Sequence, residues 1–259
     1  MTQWFEGKSV LVTGAGSGIG GAAAQRFAAE GAAVCLADID PAGIERVAGL
    51  IRKAGGKAIT VKADVSKAED NARMVDRTVA EFGRLDVAYL NAGYLGGLSG
   101  FRDLDFEAFD RIIRTNLYGC FFGIKNAYPR IERNGAIVVT ASIAGLQGLT
   151  ENPAYAASKH GIVGLVRSAA AALAAKGVRI NAICPGGVST PMAGIAQSDE
   201  LMAPDALTMA DFRGMSSAQQ VAELALFLAS SGASAITGAC YVVDAGWTAV
   251  IGPASTEAA

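Results

Sequence analysis

A tyrosine and a lysine lie four residues apart in the stretch NPAYAASKHG, residues 152–161. If this stretch is helical, Tyr155 and Lys159 lie one turn apart on the same face. An Asn followed by a Pro is typical of a helix start, because Asn caps free backbone N–H groups and Pro suits the first helical position. The spacing therefore predicts a phenol beside an ammonium group near the start of a helix.

Such a pair can carry out acid/base chemistry. A free tyrosine has a pKa near ~10, which is too high for a good base at neutral pH. A unit charge ~4 Å away, at an effective dielectric constant of ~20, is worth ~4 kcal/mol and lowers that pKa by up to ~3. Tyr155 is therefore the candidate general acid/base, and Lys159 the group that lowers its pKa.

The next residue, His160, is the only histidine of the chain. In a helix it points away from the face that carries Tyr155 and Lys159. A Ser-His-Asp hydrolase is the rival use of this histidine, but the sequence contains no GxSxG nucleophile elbow. We expect His160 to serve packing and not catalysis.

A glycine-rich segment, TGAGSGIG at residues 13–20, follows an apolar run and opens a helical pattern. Glycines let the backbone turn sharply and approach a pyrophosphate, and the helix N-terminus offers free N–H groups to that anion. This strand–loop–helix context favours dinucleotide binding. The glycines concerned are Gly14, Gly16, Gly18 and Gly20.

The second apolar run ends in LADID, which places Asp38 at its carboxyl end. A carboxylate there accepts hydrogen bonds from the adenosine ribose hydroxyls and repels a 2′-phosphate. In the glycine loop, Ser17 stands with no Arg or Lys to hold that phosphate. Both features favour NAD over NADP. The alternative is that Asp38 only caps the helix that starts at Pro41.

Short apolar runs alternate with helical patterns along the chain. The runs are continuous and rich in Val and Ile, as in strands buried on both faces of a parallel sheet. The alternation predicts one α/β domain over residues 1–259, a doubly wound parallel sheet of about seven strands with helices on both faces. Strands are predicted at 9–13, 32–37, 58–62, 85–90, 135–140, 178–184 and 239–244, and helices at 18–30, 41–54, 67–82, 105–131, 152–176 and 217–230.

One long connection, at about residues 186–216, carries no strong strand signal. Connections of this length tend to be lids or binding loops. Its apolar residues either face an apolar ligand or form short helices packed on the core. These residues are Met192, Ile195, Leu201, Met202, Leu207, Met209 and Phe212.

The composition restricts the class of protein. Hydrophobic residues make up 51% and charged residues 18%, with a net charge of −2. These values exclude general disorder and give no basic excess for nucleic acid or an anionic membrane surface. No apolar run reaches the ~18 residues of a membrane span, and the N-terminus does not resemble a signal peptide. Four scattered cysteines and one histidine predict buried free thiols, a cytoplasmic protein and no metal site.

From about Gly7 to Trp247, the sequence resembles the short-chain dehydrogenase/reductase family. The motifs occur in order: TGAGSGIG (13–20), DV (64–65), NAG (91–93), Asn116, Ser142, YAASK (155–159) and PGGVST (185–190). One departure is Leu90, where the family usually has a second Asn. We expect changed packing at this strand end and retained cofactor binding.

The resemblance implies a Rossmann-like fold and an NAD-dependent oxidoreductase that interconverts a secondary alcohol and a ketone. Tyr155 would be the acid/base, and Lys159 would also bind the nicotinamide ribose. Ser142 would bind the substrate oxygen, and Asn116 would hold a water that passes the proton outward. The implied catalytic residues are thus Asn116, Ser142, Tyr155 and Lys159.

The resemblance also implies which residues bind NAD. Asp64 and Val65 would contact the adenine and Asn91 the adenosine end of the cleft. Ile19 would bind the pyrophosphate through its N–H group, and Val188 and Thr190 the carboxamide of the nicotinamide. The implied cofactor-binding set is Gly14, Ser17, Gly18, Ile19, Gly20, Asp38, Asp64, Val65, Asn91, Tyr155, Lys159, Pro185, Gly186, Val188 and Thr190.

The substrate pocket is expected to be largely apolar, without a cluster of Arg or Lys, and to include Leu95, Leu149 and the 192–213 loop. This favours a neutral alicyclic, aromatic or steroid-like small molecule. The predicted substrate residues are Tyr94, Ser142, Gln147, Tyr155 and Met192.

Two alternatives stay open. One is a reductase of 3-oxoacyl thioesters on a carrier protein, which Asp38 opposes because such reductases generally resemble NADP enzymes. The other is a dinucleotide-binding regulator without turnover, which the complete catalytic set opposes.

Self-association is also implied by the resemblance. In the family, the helices matching 105–131 and 152–176 pair between subunits, usually in homotetramers. The second of these helices carries SAAAALAAK, whose small residues permit close helix contact. The alternative is that the alanines only reflect helix propensity.

Overall fold

The computed structural model describes residues 4–196 and 198–250, so residues 1–3, 197 and 251–259 of the predicted domain lie outside the described residues. Seven strands form the main sheet and two short strands a second one. The strands are β1 Ser9–Thr13, β2 Ala33–Asp38, β3 Lys57–Lys62, β4 Leu85–Leu90, β5 Ile131–Thr140, β6 Arg179–Pro185, β7 Val188–Ser189, β8 Ser216–Ser217 and β9 Cys240–Val243.

The main sheet is parallel throughout and has the order β3-β2-β1-β4-β5-β6-β9. The predicted doubly wound sheet is confirmed. From β1 the chain proceeds to β2 and β3 at one edge of the sheet, whereas from β4 it proceeds to β5, β6 and β9 at the opposite edge. A crevice therefore opens between β1 and β4 at their carboxyl ends, which is where α/β proteins of this topology bind ligands.

Helices cover both faces of the sheet. One layer of helices packs on the sheet through buried side chains such as Phe27, Val47 and Val221. The other layer packs through side chains such as Met74 and Ile162. The helices are α1 Gly18–Ala29, α2 Pro41–Lys53, α3 Ala68–Phe82, α4 Phe106–Ile113, α5 Gly119–Ala127, α6 Pro153–Ala175 and α7 Ala218–Ala229. Of these, α1, α2 and α7 pack on the first face and α3, α5 and α6 on the second.

The predicted helix 105–131 is wrong in two respects. A π-helical turn, Arg114–Tyr118, separates α4 from α5. The last predicted helical residue, Ile131, already belongs to β5 and pairs with Leu85 before the register shifts. The early part of β5 carries exposed polar residues, so the buried-strand pattern that predicted 135–140 does not cover it.

The connection 186–216 contains short strands and turns. Its two ends form β7 and β8, which pair with each other. Two short 3-10 turns, Pro191–Ala193 and Pro204–Ala206, lie between them. Among the residues that the structure describes, no helix has both the length and the apolar character to cross a membrane.

Candidate active site

The glycine loop closes tightly over the end of β1. A Cβ atom added at Gly20 would lie 2.1 Å from the carbonyl oxygen of Gly14 and 2.6 Å from Nδ2 of Asn91. Gly14 and Gly18 have φ angles of +66° and +57°, which L side chains rarely adopt. The loop thus needs glycine for backbone contact and leads directly into the N-terminus of α1. This is a cradle that fits a pyrophosphate.

Asp38 lies at the rim of this loop. Its carboxylate accepts hydrogen bonds from the N–H groups of Gly16 and Asp40, both at 3.0 Å. The N-cap of α2 is Asp40, which accepts from Ala42 at 3.0 Å. The alternative in which Asp38 only caps this helix is therefore wrong, and its carboxylate lines the cleft.

An arginine lies nearer the loop than the sequence indicated. Nη2 of Arg46 donates to the carbonyl oxygen of Gly16 at 2.8 Å, and Arg46 also forms an ion pair with Asp199. This cation is therefore bound to a carboxylate and to the loop backbone. Only the three-dimensional fold brings α2 and residue 199 together.

Asn91 ties three strand ends together. Its N–H donates to Oγ1 of Thr13 at 3.0 Å, and its Nδ2 donates to the Thr13 carbonyl at 3.2 Å. Oγ1 of Thr140 lies 3.0 Å from Asn91 Oδ1. The preceding Leu90 is buried against Gly123 of α5, and the expected change in packing relative to the family stays a prediction.

Lys159 is almost completely buried beside Tyr155. Its Nζ lies 5.4 Å from the centre of the Tyr155 ring and donates to the Thr140 carbonyl oxygen at 2.9 Å. As predicted, Asn152 caps α6, accepting from the N–H of Tyr155 at 3.0 Å. The pair therefore lies at the first turns of this helix, facing the crevice.

The pKa values differ from the expectation. Burial raises the pKa of Tyr155 to about 12, with a hydrogen bond to Ser142 acting in the opposite direction. Burial also lowers the pKa of Lys159 to about 8. The predicted lowering of the tyrosine pKa is wrong in this structure, because desolvation outweighs the other effects and the ammonium group binds a carbonyl oxygen.

Ser142 follows β5 and is buried. Its Oγ accepts from the N–H of Ala144 at 3.1 Å and lies 3.5 Å from the Pro185 carbonyl oxygen. Because this hydroxyl is also hydrogen-bonded to the Tyr155 phenol, two hydroxyls converge on one point of the cleft.

Asn116 lies in the π-helical turn behind the cleft. Its Oδ1 accepts from the N–H of Tyr94 at 2.7 Å, and its Nδ2 donates to the Tyr94 carbonyl and to Ser158 Oγ, both at 3.0 Å. The side chain thus fixes the backbone of a residue that lines the substrate end. The water-holding role implied for Asn116 stays a prediction.

One cleft of about 800 Å³ brings most of the expected residues together. Gly20 lies beneath its floor, where the added Cβ clashes. Gln147 is exposed, and neither it nor Leu149 lines the cleft, since the chain leaves it after Ser142 in a short 3-10 turn. The predicted residues that line it are Gly14, Ser17, Gly18, Ile19, Asp38, Asp64, Val65, Asn91, Tyr94, Leu95, Ser142, Tyr155, Lys159, Pro185, Gly186, Val188, Thr190 and Met192.

The lining also includes residues that sequence reasoning missed. Thr140 is polar at the end of a buried strand, a signal that could have pointed to it. Arg111, Thr115 and Met215 carry no such signal. Among the described residues, the charged side chains that line the cleft are Asp38, Asp64, Arg111 and Lys159.

His160 faces away from the cleft. It is exposed, and its Nδ1 lies 3.0 Å from the Ala156 carbonyl oxygen. It therefore lies on the surface, and the expected packing role is wrong. Within residues 4–196 and 198–250, no cluster of side chains is suited to hold a metal ion.

Fold and cleft together define a nucleotide-binding α/β protein of the Rossmann type. Residues 14–248 match the sequence profile of the family described as "Enoyl-(Acyl carrier protein) reductase". The cyclohexanol dehydrogenase of Acinetobacter sp. (strain SE19) is 38% identical over 250 residues, covering 96% of this chain and 98% of that protein. The chain belongs to the short-chain dehydrogenase/reductase family.

Other proteins are similar to this chain over nearly its whole length. The cis-4-hydroxycyclohexanecarboxylate dehydrogenase of Sinomonas cyclohexanicum is 39% identical over 252 residues, covering 96% of this chain and 100% of that protein. The crystal structure of levodione reductase matches with a TM-score of 0.86 and 33% identity, over 95% of this chain and 100% of that chain. A 7α-hydroxysteroid dehydrogenase complexed with NADH and 7-oxo glycochenodeoxycholic acid matches with a TM-score of 0.84 and 29% identity, over 95% of this chain and 96% of that chain.

Proposed function

We propose that this protein is an NAD-dependent dehydrogenase that interconverts a secondary alcohol on an alicyclic ring and the corresponding ketone. One observation carries the proposal: Tyr155, Ser142 and Lys159 meet in a cleft whose other end has the glycine loop and Asp38. The relatives named for cyclohexanol, hydroxycyclohexanecarboxylate and levodione support the substrate class.

The residues of this chain fit the dinucleotide. The glycine loop and the N–H groups of α1 would hold the pyrophosphate, and Asp38 the adenosine ribose. Val188 and Thr190 line the far end, where the nicotinamide carboxamide would bind. When bound, the oxidised nicotinamide ring accepts a hydride and adds a positive charge to the cleft. Support for NAD over NADP comes from Asp38, since Arg46 is already bound to Asp199.

The chemical step needs a proton transfer at one oxygen atom. In alcohol oxidation Oη of Tyr155 takes the proton of the substrate hydroxyl. The hydride leaves the carbon that carries this hydroxyl, and the C–O bond becomes a C=O bond. Ser142 donates a hydrogen bond to that oxygen and stabilises its developing negative charge. Burial raises the pKa of Tyr155 in this structure, and the positive charge of a bound oxidised nicotinamide ring would favour its phenolate form.

The raised pKa of Tyr155 gives the two directions different pH dependences. At neutral pH the phenol is protonated, so it is ready to donate a proton to a ketone. Alcohol oxidation needs the phenolate, and its rate should therefore rise with pH into the alkaline range.

The substrate end of the cleft favours an uncharged ring. Its walls are Tyr94, Leu95, Met192 and Met215. Asp38 ends β2 and Asp64 follows β3, both at the adenosine end, so Lys159 is the charged group nearest the reacting oxygen. A carboxylated ring or a carrier-bound thioester would find no second cation there among the described residues. A reductase of 3-oxoacyl thioesters is therefore the second candidate; the profile's description shares with it only a carrier-bound acyl chain.

Substitution of Tyr155 tests the proposed chemistry. We expect Tyr155→Phe to lower kcat/KM for cyclohexanol with NAD by ~10²–10⁴, because a positioned acid/base is lost. The dissociation constant for NADH should change little, since the pyrophosphate and ribose contacts lie elsewhere. His160→Ala is the matched control and should keep wild-type activity. A Tyr155→Phe variant with most of its activity would refute the mechanism.

Self-association as a homotetramer remains part of the proposal. It is supported by aromatic side chains that α4, the π-helical turn and α5 leave exposed, including Phe106, Tyr118 and Phe121. A second copy of the chain would cover them. Sedimentation of the wild type should show a tetramer and of Tyr118→Glu/Phe121→Glu a smaller species; a wild-type monomer at micromolar concentration would contradict this. The cytoplasmic location also stays a prediction.

A further inference from the structure

Arg111 lies at the junction of two cavities. It lines the main cleft and also a shallow groove of about 390 Å³ that runs along α4. Ser66 and Thr115 are the other two residues that line both. Arg111 and Thr115 are four residues apart across the end of α4, so they share one face.

These neighbours place Arg111 at the adenosine end of the cleft. Ser66 follows Asp64 and Val65, close after β3, which is the edge strand of the sheet on this side. The helical wall touches the same segment, since a Cβ added at Gly119 would lie 3.0 Å from Cγ2 of Val65. Arg111 therefore borders the space beside Val65 and not the space beside Tyr155.

Arg111 has no carboxylate partner among the described residues, which distinguishes it from its neighbour. Nε of Arg114, the first residue of the π-helical turn, donates to Asp110 of α4 at 2.5 Å, so that guanidinium is neutralised. Arg111 is exposed, and none of the ion pairs of the described part of the chain includes it. Its guanidinium is thus available to a ligand in the cleft.

We propose that Arg111 binds the adenine base of the dinucleotide, with its guanidinium plane against the open face or edge of the ring. This inference rests on the proposed function. A neutral aromatic base suits this place better than a phosphate, because Asp38 and Asp64 line the same end and repel an anion. A guanidinium group stacks on aromatic rings and is weakly hydrated, so the contact is favourable even at an exposed site.

Fragments of the dinucleotide separate this role from a general effect on the fold. Calorimetric titration with AMP reports the adenosine end alone, and titration with nicotinamide mononucleotide reports the other end. Arg111→Met keeps the apolar stem and removes the charged plane. We expect it to weaken AMP and NADH binding by about two- to five-fold, as for an exposed cation–π contact, and to leave nicotinamide mononucleotide binding unchanged.

Arg114→Met is the matched control, since it removes an equal charge one turn away from a residue that lines only the groove. It should bind AMP like the wild type, and Arg111→Lys should lie between wild type and Arg111→Met. Unchanged AMP binding in Arg111→Met, or equal losses in the two Met variants, would overturn the inference while the proposed function stands. A wild type that binds neither AMP nor NADH would overturn both.

Discussion

The two ends of the cleft are built in opposite ways. The adenosine end is tightly packed. A Cβ added at Gly16 would lie 3.1 Å from Oδ2 of Asp38 and 3.4 Å from Cα of Gly43, and Gly20 leaves no room for a methyl group. At the substrate end, side chains of a long connection form the wall. There Met192 is 50% and Met215 44% exposed.

This difference between the two ends indicates that one end determines the reaction class and the other the choice of substrate. The tight end, and Tyr155 with the buried Lys159 beside it, restrict which kind of cofactor and which kind of chemistry fit. The loose end is held by few contacts, among them Met202 bonded through its backbone to the Gln219 side chain. Substitutions at the adenosine end should therefore have large effects on cofactor binding and activity, and substitutions at the substrate end small ones.

The largest effect is expected at Gly20. Gly20→Ala forces a Cβ into the Gly14 carbonyl, so the loop must shift, and misplacement on the order of 1 Å can cost ~10² in rate. We expect the NADH dissociation constant to rise by ~100-fold or more. Gly49→Ala is the control, because an added Cβ there meets nothing within 4 Å. Equal NADH binding in both variants would show that the loop is not the rigid end.

The buried charge of Lys159 should appear in stability against pH. Its pKa falls from 10.5 to about 8 in the folded protein, so between these values the unfolded chain binds more protons. The contribution of this group to stability therefore rises with pH across that window, by an amount on the order of 3 kcal/mol. Urea unfolding at several pH values should show a rise for the wild type that Lys159→Met lacks. Parallel curves for the two proteins would contradict this burial.

Cofactor choice should change at Asp38. Asp38→Ala combined with Ser17→Arg removes the carboxylate that repels a 2′-phosphate and adds a cation for it. We expect the ratio of kcat/KM for NAD to that for NADP to fall by about tenfold or more. A wild type that uses both cofactors equally would contradict the role of Asp38.

The smallest effect is expected where the substrate connection meets α2. Asp199→Asn breaks the ion pair between Asp199 and Arg46. The side chains of both residues are exposed by about two-fifths. A pair of this kind is worth at most ~1 kcal/mol. Proteolytic cleavage within residues 190–215 should become up to about five times faster, with Asp205→Asn as the control. A loss of NADH binding as large as that of Gly20→Ala would remove the distinction between the two ends.

The sequence predicts the adenosine end of the cleft better than the substrate end. The cores of the seven main-sheet strands, the glycine loop, Asp38 and the Tyr155–Lys159 pair are local patterns and lie where their spacing indicated, whereas the start of β5 and the short strands β7 and β8 do not. The pKa of Tyr155 was mispredicted because burial is a property of the whole fold. The same holds for Arg46, which the packing of α2 brings to the glycine loop, and for Arg111, which the packing of α4 brings to the cleft.

The substrate end was harder to predict because no period or spacing specifies a loop. Gln147 and Leu149 lie near Ser142 in sequence but outside the cleft, whereas Met215 lines it from the far end of the connection. The π-helical turn at Asn116 was missed as well, since its sequence continues a helical pattern.

The central claim is most directly tested by NADH formation with the wild-type protein and a set of cyclic alcohols. Cyclohexanol with NAD should give a kcat/KM at least about tenfold higher than trans- or cis-4-hydroxycyclohexanecarboxylate with NAD, because a carboxylate finds no second cation beside the ring. Cyclohexanol with NADP should be poorer than with NAD by a similar factor. If no alicyclic alcohol reduces NAD while a 3-oxoacyl thioester is reduced with NADPH, the proposed function is wrong.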